Sequence, residues 1–117
     1  MTSGWKLDRE LRASLLAAYP PHYANAVGDH VTLSVSLPHP PAPAERPRIV
    51  GHIDDGNGVE AMIVEIDGTT ARPDGKVWHI TWSLADGRTA RESNEIIAAL
   101  GWAPLNGGEL LLEPAVW

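Results

Sequence analysis

The chain of 117 residues contains no cysteine and no phenylalanine. Without thiols it can form no disulfide, no thiolate zinc site and no cysteine nucleophile, and nothing in it calls for an oxidising compartment. Basic residues are also scarce: nine Lys and Arg stand against fifteen Asp and Glu, a net charge of −6. Affinity for duplex nucleic acid comes mainly from neutralising phosphates, so this balance argues against duplex DNA as a partner. A phosphorylated ligand should instead be small or gripped locally. No apolar run approaches the ~20 residues of a membrane helix, and Met1-Thr-Ser-Gly-Trp-Lys-Leu-Asp8 lacks the apolar centre of a secretory signal. The expected location is the cytoplasm, away from membranes. With 44% hydrophobic and 21% charged residues, the composition is that of a folded chain, and the length suits one domain spanning 1–117.

Leu7, Leu11, Leu15 and Ala18 recur at helical spacing, which predicts an amphipathic helix over Lys6 to Ala18, stopped by Pro20 and Pro21. Alternation and β-branched content predict a strand over His30 to Leu37. Five of the ten prolines then fall between Pro38 and Pro47, an extended loop that cannot be a central strand. Arg48–Ile53 and Val59–Ile66 flank Asp54-Asp-Gly-Asn-Gly58 and predict an antiparallel hairpin. Lys76 to Leu84 reads as another strand. Ser93 as N-cap and Gly101 as stop bracket a short helix over Asn94 to Leu100, and Glu109 to Glu113 reads as a closing strand. The order of elements predicts an α+β fold of mostly antiparallel sheets with two flanking helices.

Two of these strands repeat one pattern. His30-Val-Thr-Leu-Ser-Val35 and His79-Ile-Thr-Trp-Ser-Leu84 both run His, aliphatic, Thr, large apolar, Ser, aliphatic. Strand alternation puts each histidine on the same face as a threonine two residues on. From this composition roughly 0.1 such matches are expected by chance, so two are informative. Phosphodiester chemistry supplies a reason for the pair. It requires a base for the incoming oxygen and an acid for the departing one, on opposite sides of phosphorus. Imidazole fills either role near neutrality, and threonine hydroxyls can donate to the phosphoryl oxygens.

These residues resemble the two-histidine (2H) phosphoesterases, the LigT-like and cyclic phosphodiesterase group. That family carries two His-x-Thr/Ser motifs on two strands of a pseudo-symmetric bilobed α+β fold. The wider context, Asp29-His-Val-Thr-Leu33, Val50-Gly-His-Ile-Asp-Asp-Gly56 and Ser93-Asn94, is similar to compact members in RNA-repair proteins. The resemblance runs from about Trp5 to Trp102, with the paired motifs as its specific part. It implies opening of a 2′,3′-cyclic nucleotide or RNA-end cyclic phosphate to a monoester, with no metal or cofactor. It assigns His79 as base, His30 as acid, and Thr32 and Thr81 as phosphate ligands. A non-catalytic module binding a nucleotide or RNA end, or an acidic protein-interaction domain, are the other readings.

Tyr23 and His22, in the loop before the first motif, are expected at the rim, with Ser93 as a further rim residue. Arg48, Arg72, Lys76 and Arg88 sit at strand ends or turns from which a cation can reach a phosphate. No metal site is expected, because no His-x₃-His pair or run of carboxylates occurs at ligand spacing.

Overall fold

The computed structural model describes residues 1–117. In chain order they form β1 (Ser3–Leu7), α1 (Arg9–Ala18), β2 (Asn25–Ala26), β3 (His30–Ser34), β4 (Arg48–Asp54), β5 (Val59–Glu65), β6 (His79–Leu84), α2 (Glu92–Leu100), β7 (Ala103–Glu109) and β8 (Leu112–Val116). All strand pairings are antiparallel. One sheet has the order β3-β1-β8 and the other β2-β6-β5-β4-β7. The α+β class, the two helices and the two antiparallel sheets agree with the expectation from sequence.

The first helix starts later than its periodicity suggests. Asp8 caps it, its carboxylate accepting the Leu11 N–H at 3.0 Å. Leu7, assigned to the helix by its spacing, is a strand residue that alternates inward with Ser3 and Trp5. Gly4 lies so close to β3 that a Cβ there would meet the Val31 carbonyl. This close approach seats the first motif strand in the smaller sheet.

β3 ends at Ser34, short of the expected Leu37, because Ser34 pairs with Ser3 at the start of β1. Beyond that point no partner strand remains, and Val35 and Leu37 are exposed. β6 starts at His79, not Lys76, because Arg72 to Lys76 fold into a turn in which the Arg72 N–H reaches the Lys76 carbonyl at 2.9 Å. The tail is two strands in place of one. Leu110, 4% exposed, plugs the core between them, so β7 joins the larger sheet and β8 the smaller. Pro104 and Pro114 are tolerated because both strands lie on sheet edges.

The main core lies where the sheets meet under α1. Trp5, Val31, Met62, Ile80 and Trp82 belong to it, with the Trp5 and Trp78 rings packed edge to face at 5.5 Å. A smaller cluster joins Val59, Ala61 and Ile63 to Ile96 and Ile97 of α2. The proline-rich loop is held against this body by the Trp5 indole, which donates to the Ala42 carbonyl at 2.9 Å. No helix is long and apolar enough to cross a membrane.

Candidate active site

Gly28 brings the two motif strands together. It adopts φ +50°, a conformation open to glycine, and packs beside the Trp82 ring. Its N–H donates to the Thr81 carbonyl at 3.0 Å, while the Val27 N–H donates to the Trp82 carbonyl at 2.9 Å. The chain just before His30 is thus bonded to the second motif strand. Arg12 of α1 clamps the same turn through the Val27 carbonyl at 2.8 Å.

His30, Thr32, His79 and Thr81 all line one cavity of about 790 Å³. Its other walls come from the Arg72–Lys76 turn, the start of α2 and Trp117. Each imidazole is fixed through Nδ1 and leaves Nε2 without a partner in the protein. His79 Nδ1 donates to the Val77 carbonyl at 2.8 Å. That acceptor can only receive, so Nδ1 carries the proton and Nε2 is the basic nitrogen. His30 Nδ1 donates to Asp29 Oδ2 at 3.0 Å, and its ring packs on the Trp117 ring at 4.6 Å between centroids.

The two histidines differ in environment. Burial pushes the His79 pKa below the usual imidazole value, the Val77 carbonyl opposes this, and the charges of Arg72, His30 and Lys76 add to the lowering. His79 is 8% exposed. Burial also lowers the His30 pKa, but Asp29 works against it by hydrogen bond and charge. Asp29 itself stays ionised. Burial raises its pKa, yet hydrogen bonds from Lys6, His30 and Arg9 hold it far below the ordinary carboxylate range. Lys6 reaches it at 2.6 Å and Arg9 at 2.9 Å.

Within a chain of net negative charge, the cavity is locally positive. Arg72, Lys76 and Arg91 line it against a single acidic side chain, Asp74. Asp74 holds the Arg72 guanidinium at two nitrogens, each at 2.9 Å, and that pairing brings its pKa down to about 2. Lys76 and Arg91 form no ion pair. The positive end of the α2 macrodipole borders the same space, through Ala90, Arg91 and Asn94. The site is therefore suited to one anionic group held beside two imidazoles.

Ser93 is not the expected N-cap. The helix begins at Glu92, whose carboxylate accepts the Thr89 N–H at 2.6 Å, and Ser93 points inward to Thr81 Oγ1 at 2.9 Å. It is fully buried and stands behind the threonine instead of on the rim. Thr81 Oγ1 also approaches the Ala90 carbonyl at 3.3 Å, whereas the Thr32 hydroxyl has no partner in the protein. His22 and Tyr23 do not line the cavity, since their loop is held at the far end of the hairpin by Asp54 and Glu60. Of the four cations singled out at strand ends or turns, Arg72 and Lys76 reach the cavity. Arg48 bonds Asn106, and Arg88 is spent on Asp55 and Glu92. Arg91 and Asn94 escaped the sequence reading, although their place at a helix start just after a motif strand is a usable signal.

A second histidine cluster also forms, from residues distant along the chain. His22, His52 and Glu60 present one ligand atom each, all within 4.8 Å of one another. The expectation of no metal site rested on linear spacing, which does not register a grouping made by β-pairing and the loop between α1 and β2.

Comparison of the chain with protein-family models, with curated proteins and with solved structures gives no match, so its likeness to the two-histidine phosphoesterases rests on the motif residues described above.

Proposed function

We propose that this protein is a phosphoesterase that opens a cyclic phosphate, a 2′,3′-cyclic nucleotide or RNA end, to a monoester. The observation that carries the reading is the convergence of both His-x-Thr pairs on one positively charged cavity. His79 acts as base: its neutral form is favoured by burial, and its Nε2 lone pair takes a proton from water. The water oxygen bonds to phosphorus as the bond from phosphorus to one ring oxygen breaks. His30 acts as acid, passing its Nε2 proton to that leaving oxygen, with Asp29 stabilising the imidazolium beforehand. Thr32, Lys76 and Arg91 take the charge on the non-bridging oxygens, and Thr81 contributes its proton when Ser93 is the donor between them. Neither imidazole needs a metal to perform its step. The cytoplasm, where RNA ends arise, is the location this reading implies.

The test is incubation with 2′,3′-cyclic mononucleotides and with oligonucleotides ending in a cyclic phosphate, followed by separation of the monoester products. Turnover by the intact chain, lost in His30→Ala and His79→Ala, is the expected result. If neither substrate class is consumed, the reading fails. Binding of the cyclic nucleotide that persists in both variants without product would indicate a binding module.

A further inference from the structure

The second histidine cluster lies outside the cavity and has no part in the reaction proposed above. Glu60 is 1% exposed, and no Lys or Arg pairs with it. A buried carboxylate is costly unless its charge is met. Its two oxygens are used differently. Oε1 is saturated by the Ser83 hydroxyl at 2.6 Å and the His22 N–H at 3.0 Å. Oε2 is left to two ring nitrogens, His52 Nε2 at 2.7 Å and His22 Nδ1 at 3.3 Å. Asp54 adds a second carboxylate, its Oδ2 2.6 Å from His22 Nδ1 and its Oδ1 fixed by the Tyr23 hydroxyl at 2.6 Å and the Gly56 N–H at 2.8 Å.

We infer that His22, His52 and Glu60, with Asp54 beside them, form a binding site for a divalent transition-metal ion of the zinc class. Two imidazoles and two carboxylates are the donors such an ion takes, and imidazole disfavours calcium and magnesium. Ligand atoms about 2.0–2.1 Å from a tetrahedral ion lie roughly 3.3 Å apart. The His22–Glu60 separation of 3.3 Å already matches this, and the 2.6 and 2.7 Å contacts open once the ion replaces their protons. Two carboxylates balance the ion's charge.

Supporting bonds hold both carboxylate ligands. Ser83 orients Glu60, while Tyr23 and Gly56 orient Asp54. The His22 backbone is itself fixed by Glu60, and the Tyr23 N–H by Ser83 Oγ at 3.2 Å. The ion would tie the loop between α1 and β2 to the β4–β5 hairpin.

The full chain, stripped with a chelator, would be titrated with Zn²⁺ against a chromophoric competitor, and with Co²⁺ followed by visible absorption. One saturable equivalent is expected, with the d–d bands of a four-coordinate cobalt centre and a rise in Tm on zinc addition. His22→Ala and His52→Ala should each weaken binding by on the order of 100-fold or more, beyond the usual cost of losing a supporting residue. His39→Ala, in the proline-rich loop, should leave it intact. Absence of a saturable equivalent, or binding unchanged in both the His22 and His52 variants, overturns the proposal. The readout is metal binding, so it stands or falls independently of phosphoesterase turnover.

Discussion

The molecule holds two pairs of histidines, and what surrounds their nitrogens separates them. His30 and His79 are each fixed through Nδ1 and keep Nε2 free, beside Arg72, Lys76 and Arg91. His22 and His52 point ring nitrogens at two carboxylates that no Lys or Arg pairs with. The electrostatic consequences are opposite. Burial lowers the proton affinity of the first pair, whereas the hydrogen bond to Asp54 raises that of His22. On the two proposals, the same side chain exchanges protons beside an anion in one place and holds a cation in the other.

The sharpest way to break this contrast is to remove the free nitrogens. His79→Ala and His30→Ala should each lower turnover of a cyclic phosphate by roughly 10²–10⁴-fold, the range for loss of a general acid or base. His39→Ala, exposed in the proline-rich loop, should leave turnover unchanged. Product formation under single-turnover conditions measures both. Equal losses in all three variants would erase the distinction between the cavity histidines and an exposed one.

The carboxylate-rich pair should answer to stability instead. Glu60→Ala removes a buried acceptor and leaves the Ser83 O–H proton and the His22 N–H without an acceptor. A loss of about 3 kcal/mol is expected, as for a broken buried polar network. Denaturant unfolding at constant pH reads it. A change under 1 kcal/mol, by the same scale of buried hydrogen bonds, would mean that water replaces the lost contacts.

What the sequence could reveal follows from how each feature is written along the chain. The two motif strands were visible because His, Thr and Ser alternate with Val, Leu and Trp at period two, a local signal. The hairpin turn at Asp54-Asp-Gly-Asn-Gly58 was visible for the same reason. Leu7 misled because apolar residues at positions 7, 11, 15 and 18 fit one helical stripe although Leu7 lies in a strand, and only Asp8 divides the two elements. Ser93 looked like a cap because a cap is defined by neighbours, while its real bond runs to Thr81, twelve residues back. The His22, His52 and Glu60 group could not be read at all. It depends on a loop 38 residues from Glu60 returning to the hairpin, a tertiary fact with no periodicity.

Within the cavity, the comparison narrows to the two imidazoles and the role of Asp29. Its carboxylate favours the protonated form of His30, while His79 has only a neutral carbonyl behind it. Asp29→Asn should therefore lower the His30 pKa further. If His30 is the acid, it must be protonated to act, so the alkaline limb of the pH–rate profile moves to lower pH and the acid limb, set by His79, stays. A loss of about tenfold at neutral pH is the expected scale for a group acting through another. Movement of the acid limb instead would exchange the two roles.

The smallest effect belongs to the pH dependence of folding. Both cavity histidines have folded pKa values below the unfolded value of 6.5. Between the two values the unfolded chain binds more protons than the folded one, so stability rises with pH there. Their folded forms are at full advantage above 6.5, and that advantage is lost as pH falls toward the folded pKa values. Unfolding free energy should thus decline from pH 7 to pH 5, on top of any change from the carboxylates. His79→Gln keeps a polar side chain of similar size but does not titrate, and should flatten that decline. Denaturant melts at half-unit pH steps separate the two slopes. An unaltered slope would mean that His79 titrates alike in both states, and that burial does not depress its pKa.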